Sequence, residues 1–267
     1  DTTTQCCTAG DIRSAKQAGK IGLMLGTQNT LFMDRDLDRL GQAYELGLRI
    51  VQLTYNTTNL LGAGAMELEH SQFGLSLLGE SAVGRLNDLG MLVDTGHSSA
   101  PTLMAAVEVS EKPIACTHAG VRSIVNQPRS QTDEALKKLA DNGGVFGVVS
   151  TPVALNGQQN CSVNDYLDSI EYAINLMGVE HVGFGTDLVI AASLEQIMAA
   201  PEWGQEAVDR VGVTGVVWPW SDGHAGMENN AGYPNLTRGL IARGYSDDDI
   251  AKVMGGNWLR LIEETVG

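Results

Sequence analysis

From residue 21 onward the chain repeats one pattern: a short run rich in Val, Ile and Leu, closed by polar, Gly, His or Asp residues, then an amphipathic stretch of helical period. This is a β/α alternation. Strands are expected over Ile21–Gln28, Leu48–Tyr55, Met91–His97, Pro113–His118, Val145–Thr151 and His181–Asp187, with a weaker one around Gly215–Trp218. Helices are expected over Asp36–Leu46, Ser76–Leu89, Pro101–Val109, Thr132–Asn142, Val163–Met177, Leu194–Ala200 and Ser246–Glu264. Several open on a Ser, Thr, Asp or Asn cap, and the last has an acidic first turn, as the helix dipole favours.

Parallel strands separated by helices close into a barrel or lie in an open doubly wound sheet, and both arrangements bury them on two faces. Polar residues separate the two. Gln28, Tyr55, His97, His118 and Asp187 fall at the C-terminal ends of different strand candidates. Chemistry gathered from many strand ends is the habit of the (β/α)8 barrel, whereas an open sheet concentrates its site at one switch point. The expected fold is therefore a TIM-like α/β barrel forming one domain over residues 1–267. An eighth strand is not visible, and its natural place is before Ile21. Without it, two barrel edges invite pairing with another chain, leaving homo-oligomerisation open, or a rearrangement of residues 1–20.

Seventeen Lys and Arg against thirty-two Asp and Glu give a net charge of −15, which repels phosphate backbones and makes nucleic acid an unsuitable partner. No apolar run reaches the ~18–20 residues of a membrane-spanning helix, and residues 1–5 carry no signal-peptide pattern. The four cysteines, Cys6, Cys7, Cys116 and Cys161, include no C-x-x-C pair, so a reducing, cytoplasmic setting is the expectation. The adjacent pair Cys6-Cys7 reads as incidental to function.

His97 and His118 end consecutive strand candidates, so their imidazoles can reach one point above the barrel, a ligand pair suited to zinc. His70 and His224 carry weaker cases, and His181 opens a strand and so belongs to the opposite end. Asp187, in Gly-Phe-Gly-Thr-Asp, can bind metal, take a proton from water or hold an ammonium group; a helix cap is the structural alternative. Arg129, in the loop after His118, is suited to a bidentate hold on a substrate carboxylate.

The order and spelling of several segments go further. The stretches Leu48-Arg-Ile-Val-Gln-Leu-Thr-Tyr-Asn56, Asn87-Asp-Leu-Gly-Met-Leu-Val-Asp94 running into His97-Ser98, and Lys112-Pro-Ile114 into Thr117-His118 are followed by Pro128-Arg129 and Gly183-Phe-Gly-Thr-Asp187. Tyr233-Pro-Asn-Leu-Thr237 and Asp249-Ile-Ala-Lys-Val-Met-Gly-Gly-Asn-Trp-Leu-Arg260 complete the series. Together they resemble the renal or membrane dipeptidase family of zinc metallopeptidases, within the amidohydrolase-like barrels. The resemblance implies a two-zinc hydrolase of dipeptides, tolerant in many members of a C-terminal D-residue. His97 and His118 would then ligate one zinc, Arg129 would hold the substrate carboxylate, and Asp187 would act on water or the substrate amine.

Three positions depart from the family. Its first-strand His-x-Asp pair does not occur here, its bridging Glu is replaced by Gln28, and Tyr55 stands where many members have a strand-end His. Gln28 brings no negative charge to a metal pair, while Tyr55 retains a hydroxyl for a developing oxyanion. The absent pair, the absent first strand and the absent initiator Met predict a chain short of the family's N-terminus by about fifty residues, one β/α unit with its loops. At most one zinc half-site is then expected, with Glu67 and Glu69 as the nearest substitute ligands. The rival readings are a silent barrel binding a peptide or small carboxylate through Arg129, and an N-acyl amino acid amidohydrolase. A metal-free aldolase or isomerase would want a strand-end Lys, and these strand ends have none.

Overall fold

A computed structural model describes residues 2–67, 73–158, 160–187, 224–226 and 230–267; the expected helix Leu194–Ala200 and the weak strand around Gly215–Trp218 lie outside the described residues. In chain order the first strands are β1 (Thr3–Gln5), β2 (Ile21–Leu23), β3 (Leu25–Thr27), β4 (Leu48–Gln52), β5 (Leu92–Asp94) and β6 (Ala115–Val121). They are followed by β7 (Ser130–Gln131), β8 (Val145–Val148), β9 (Cys161–Ser162), β10 (Val182–Phe184) and β11 (His224–Ala225). The main sheet runs β3-β4-β5-β6-β8-β10 with every neighbour parallel, and β7 pairs with β6 beside this path. Strand order follows chain order without reversal. An open doubly wound sheet would reverse at a switch point, so the described topology is that of consecutive β/α units wound in one direction.

The helices alternate with these strands along the chain: α1 (Ala9–Gln17), α2 (Asp38–Glu45), α3 (Leu77–Leu89), α4 (Ala100–Val109), α5 (Asp133–Asp141), α6 (Pro152–Leu155), α7 (Val163–Met177) and α8 (Tyr233–Ala242). Their starts are chemically specified. Ser76, Ser99 and Thr132 each accept a hydrogen bond from the amide three residues on, and Ser162 forms a reciprocal box with Asp165. Leu86 of α3, Leu103 of α4, Leu136 and Leu139 of α5 and Ile170 of α7 are fully buried in one core with Val51, Phe146 and Val148 from the strands. Tyr166 of α7 is buried too, and its hydroxyl donates to the Val148 carbonyl at 2.7 Å, so the one polar atom of a large core side chain is satisfied. Among the described residues no helix is long and apolar enough to cross a membrane, and no disulfide joins Cys6, Cys7, Cys116 or Cys161.

Two expected elements are divided. Ile21–Gln28 splits at Met24: β2 pairs with β1 and β3 pairs with β4, so residues 1–20 supply a parallel partner strand and α1 at this end. Periodicity alone does not show the split, because a strand that changes partners keeps its apolar character. The helix expected over Ser246–Glu264 breaks into α9 (Asp247–Ala251), a π-turn over Lys252–Gly256 and α10 (Asn257–Thr265). Gly255 has φ of 146°, a conformation that side-chain-bearing residues rarely adopt, which is why a glycine stands at the break. Beyond it, the Asn257 amide donates to the carbonyls of Val179 and Val182, and the Trp258 indole to that of Phe184, fastening the tail to β10.

Strands β4, β5 and β10 are shorter than expected, so Tyr55, His97 and Asp187 each stand three residues past a strand end. The inner surface leaves little tolerance beneath them: a Cβ on Gly147 of β8 would lie 2.0 Å from the Thr117 carbonyl oxygen. Gly147→Ala should therefore lower unfolding stability by about 3 kcal/mol or prevent folding. Gly84→Ala, in α3 with nothing within 4 Å of the added carbon, should raise it by ~0.5–1 kcal/mol. Urea denaturation of the two variants checks the contrast.

Candidate active site

The site is assembled at the C-terminal ends of β3, β4, β5 and β10 and from within β6, which continues to Val121 rather than ending on His118 as expected. Asp94, last in β5 and buried, accepts hydrogen bonds from the amides of Gly96 and Thr117, both at 2.9 Å, and from the Thr117 hydroxyl at 2.7 Å. This turns the chain sharply after β5 and ties it to β6. A Cβ on Gly96 would lie 3.0 Å from the His118 ring and from Gln52 Oε1, so glycine is what lets this turn pass over the second histidine. His118 lies in β6 at an irregularity between Cys116 and Ala119, where the register against β8 shifts.

The two imidazoles meet edge to face with centroids 4.8 Å apart, and Tyr55 stacks on the other face of His97 at 4.1 Å. His97 Nδ1 is 2.7 Å from Asn56 Oδ1, and His118 Nδ1 is 2.9 Å from the Thr117 hydroxyl. The loop after Asn56 returns over His97: the Ala65 amide donates to the His97 carbonyl and the Met66 amide to that of Asn56, both at 2.8 Å. Both histidines are buried.

Arg129 enters from the loop between β6 and β7 and is partly buried. Its guanidinium donates to the Gly96 carbonyl at 2.5 Å, to His97 Nε2 at 3.1 Å and to the His118 carbonyl at 3.5 Å. Gln127 holds the loop, accepting from the Arg129 amide at 2.8 Å and donating to the Ser130 hydroxyl at 2.9 Å. Asp187 follows β10 in the left-handed region at φ 57°, its side chain about one-third exposed at 35%. One of its carboxylate oxygens lies 3.9 Å from His118 Nε2 and accepts from the Gln28 amide at 3.4 Å. The same Gln28 nitrogen approaches His118 Nε2 at 3.4 Å, and Gln52 holds the Gln28 carbonyl at 2.7 Å.

Burial sets the protonation of this cluster. The His97 imidazolium is disfavoured first by desolvation, then by Arg129 and by His118, so its pKa falls well below the ordinary histidine value. His118 is also lowered by burial, with Arg129 adding to the effect and Asp187 opposing it. Desolvation lowers Arg129 as well, against the attraction of Asp187. Two neutral imidazoles and an ionisable carboxylate are a suitable donor set for a divalent transition metal. One ligand atom from each of His97, His118 and Asp187 lies within 4.8 Å of the others, the one such group among the described residues.

The structure thus brings together all six residues singled out in the sequence: Gln28, Tyr55, His97, His118, Arg129 and Asp187. Glu67 is not among them; its carboxylate caps the Thr58 amide at 2.7 Å, and Glu69 and His70 lie outside the described residues. His181 opposes the Gly144 carbonyl at the start of β10, at the other end of the sheet. His224 pairs through its backbone with Cys161. Arg129 is partly buried and turned toward the two histidines. The roles of Asn56, Asp94 and Thr117 have no signal of their own in a single sequence, because each acts through a histidine that only the fold brings within reach.

A parallel β/α chain thus gathers two imidazoles, a carboxylate and a guanidinium at one site. The profile of the Membrane dipeptidase (Peptidase family M19) family matches residues 2–218 and 207–266, and the chain belongs to that family. It is 30% identical over 246 residues to the dipeptidase aclJ of Aspergillus oryzae, covering 91% of this chain and 51% of that protein. Dipeptidase 3 of Mus musculus is 24% identical over 249 residues, 92% of this chain and 45% of that one. The chain spans about half the length of the curated relatives it matches. An amidohydrolase from Pseudomonas aeruginosa superposes with a TM-score of 0.86 at 29% identity, covering 99% of this chain and 79% of its own. A metallo peptidase from Rhodobacter sphaeroides shares the fold with a TM-score of 0.81 at 21% identity, over 99% of this chain and 69% of its own.

The buried neutral histidines fix a pH dependence. Their folded-state pKa values lie below the unfolded value of about 6.5, so as pH falls the unfolded chain takes up protons first. Stability of the metal-free protein should be full above pH ~6.5 and decline below it, in a window where carboxylates contribute little. The double variant His97→Asn, His118→Asn should flatten the change in urea midpoint between pH 7.5 and 5.5. An equal decline in variant and parent would refute this protonation assignment.

Proposed function

We propose that this chain carries the strand-end site of a (β/α)8-barrel metallodipeptidase, with one zinc held by His97 and His118 and a dipeptide anchored by Arg129. The observation that carries this reading is the convergence of His97, His118 and Asp187 beside Arg129, which donates to His97 Nε2, in a member of the M19 family. The donor set fits a zinc ion: both imidazoles are buried and held neutral, and Asp187 supplies a carboxylate from the open side. Bound there, zinc supplies Lewis-acid polarisation of the scissile carbonyl and makes water more acidic near neutrality.

The protein's own residues do the rest. Arg129 pairs with the C-terminal carboxylate of the dipeptide, a bidentate match that fixes the peptide in register and requires the guanidinium to exchange its bond to His97 Nε2 for the incoming anion. Asp187 stands 3.9 Å from His118 and reaches solvent, a position from which it takes a proton from the attacking water and returns it to the departing amine. Tyr55, packed on His97, offers its phenol to the oxyanion. Gln28 touches both His118 and Asp187 with an amide nitrogen, so it orients those two groups without adding charge. A dipeptide with a C-terminal D-residue is compatible, since the carboxylate is the group gripped.

Purified chain reconstituted with zinc should hold about one ion per chain, lose it on combined His97→Ala and His118→Ala substitution, and release amino acids from a dipeptide panel. Arg129→Met should raise KM for dipeptides by ~100-fold while leaving zinc content unchanged, a loss of about 3 kcal/mol for a charge-assisted pair. A second reading, a non-hydrolytic carboxylate binder, is favoured by Gln28 in the carboxylate's place and by the guanidinium engaged with His97. Dipeptide binding measured by calorimetry with no turnover in zinc would establish that reading instead.

A further inference from the structure

Arginine can only donate. Because the Arg129 guanidinium lies 3.1 Å from His97 Nε2, that nitrogen is the acceptor, and the ring proton must reside on Nδ1. Nδ1 then donates to Asn56 Oδ1 at 2.7 Å, which also fixes which end of the Asn56 amide faces the ring. The second histidine repeats the arrangement with different parts. Asp94 is a carboxylate accepting from the Thr117 hydroxyl at 2.7 Å, so the hydroxyl has spent its one proton. Its lone pair is left for His118 Nδ1–H at 2.9 Å, and His118 Nε2 remains bare, facing the Gln28 amide nitrogen at 3.4 Å.

We propose that Asn56 and the Asp94–Thr117 pair are positioning residues that hold His97 and His118 in the same tautomer, each with Nε2 bare and turned to the common site before any metal arrives. The proposal deepens the metallodipeptidase reading and rests on it for its purpose, while the tautomers themselves are properties of the metal-free chain. Neither support is adjustable. Asn56 is clamped by the Met66 amide on its carbonyl and by Gly64, where a Cβ would lie 2.4 Å from that carbonyl, so its side chain is presented from a fixed backbone. Asp94 holds the backbone amide of Thr117 as well as its hydroxyl, so the relay is anchored in the strands. Ligating histidines elsewhere draw the same benefit from an acceptor on the second ring nitrogen, and its loss typically costs 10–100-fold in metal affinity.

The test uses the full metal-free chain labelled with 15N-histidine and long-range 15N–1H correlation spectra at pH 7.5. His97 and His118 should both show a protonated Nδ1 and a bare Nε2. In an Arg129→Met background, which frees His97 Nε2 of its obligatory donor, Asn56→Ala should shift His97 alone toward a tautomer mixture, and Thr117→Val should shift His118 alone, with thermal melts confirming that the variants fold. Asn56→Asp and Thr117→Ser, which keep the acceptor, should restore the parent spectra. Zn2+ affinity, by competition with a chromophoric chelator, should fall ~10–100-fold in the first two variants and recover in the second two. A protonated Nε2 on either histidine in the parent, or tautomers unmoved in both variants, would overturn the proposal. If the tautomers behave as stated but the parent chain binds no Zn2+, the metal reading falls and the tautomer assignment stands.

Discussion

The Asp94 carboxylate is the interaction on which the site depends. The ladder between β5 and β6 ends at Asp94 and Ala115, short of both histidines. Asp94 continues the connection by gathering the Gly96 amide, the Thr117 amide and the Thr117 hydroxyl onto one buried side chain. The turn that delivers His97 and the strand that delivers His118 thereby become one rigid unit. Gly96 completes it by leaving the second ring room to lie beneath the turn. Precision at the site is built from strand-end chemistry, which is how β/α folds carry function without loosening their core.

Above this unit the charge arrangement is unusual. A partly buried arginine is costly unless its donors find partners, and the guanidinium of Arg129 donates to two carbonyls and an imidazole lone pair rather than to a carboxylate. It therefore retains its full positive charge toward an incoming anion. The same charge, with desolvation, keeps the two histidines neutral, the form in which imidazole ligates metal. Asp187 is the counterweight, on the open side and tethered by the Gln28 amide. Arg129 and the metal share an interest in one lone pair, so the anion that draws the guanidinium away also favours metal at His97.

Much of this was legible in the residues. The alternation located the six strands of the main sheet, and α3, α4, α5 and α7 lie within a residue or two of their expected bounds because Ser76, Ser99, Thr132 and Ser162 write their own starts. The strand-end polar residues named the site, since a parallel fold leaves nowhere else for His97, His118 and Asp187 to meet. What could not be read is what depends on partners distant in sequence. Met24 divides a strand because β1 and β4 claim its two halves. Gly255 breaks the final helix so that Asn257 and Trp258 reach β10. Arg129 is drawn toward the histidines because Gly96 and His118 offer carbonyls to it, and Asn56 matters only once His97 is beside it.

The central claim is that two neutral imidazoles and one carboxylate are held together as a single metal-ready site. X-ray absorption at the zinc edge on the chain loaded with one equivalent of Zn2+ tests it most directly. The account predicts two imidazole nitrogens in the first shell at about 2.0–2.1 Å, with oxygen completing the coordination, and loss of the imidazole scattering in the His97→Ala, His118→Ala variant. A shell of oxygen alone, or imidazole scattering that survives the double substitution, would contradict it.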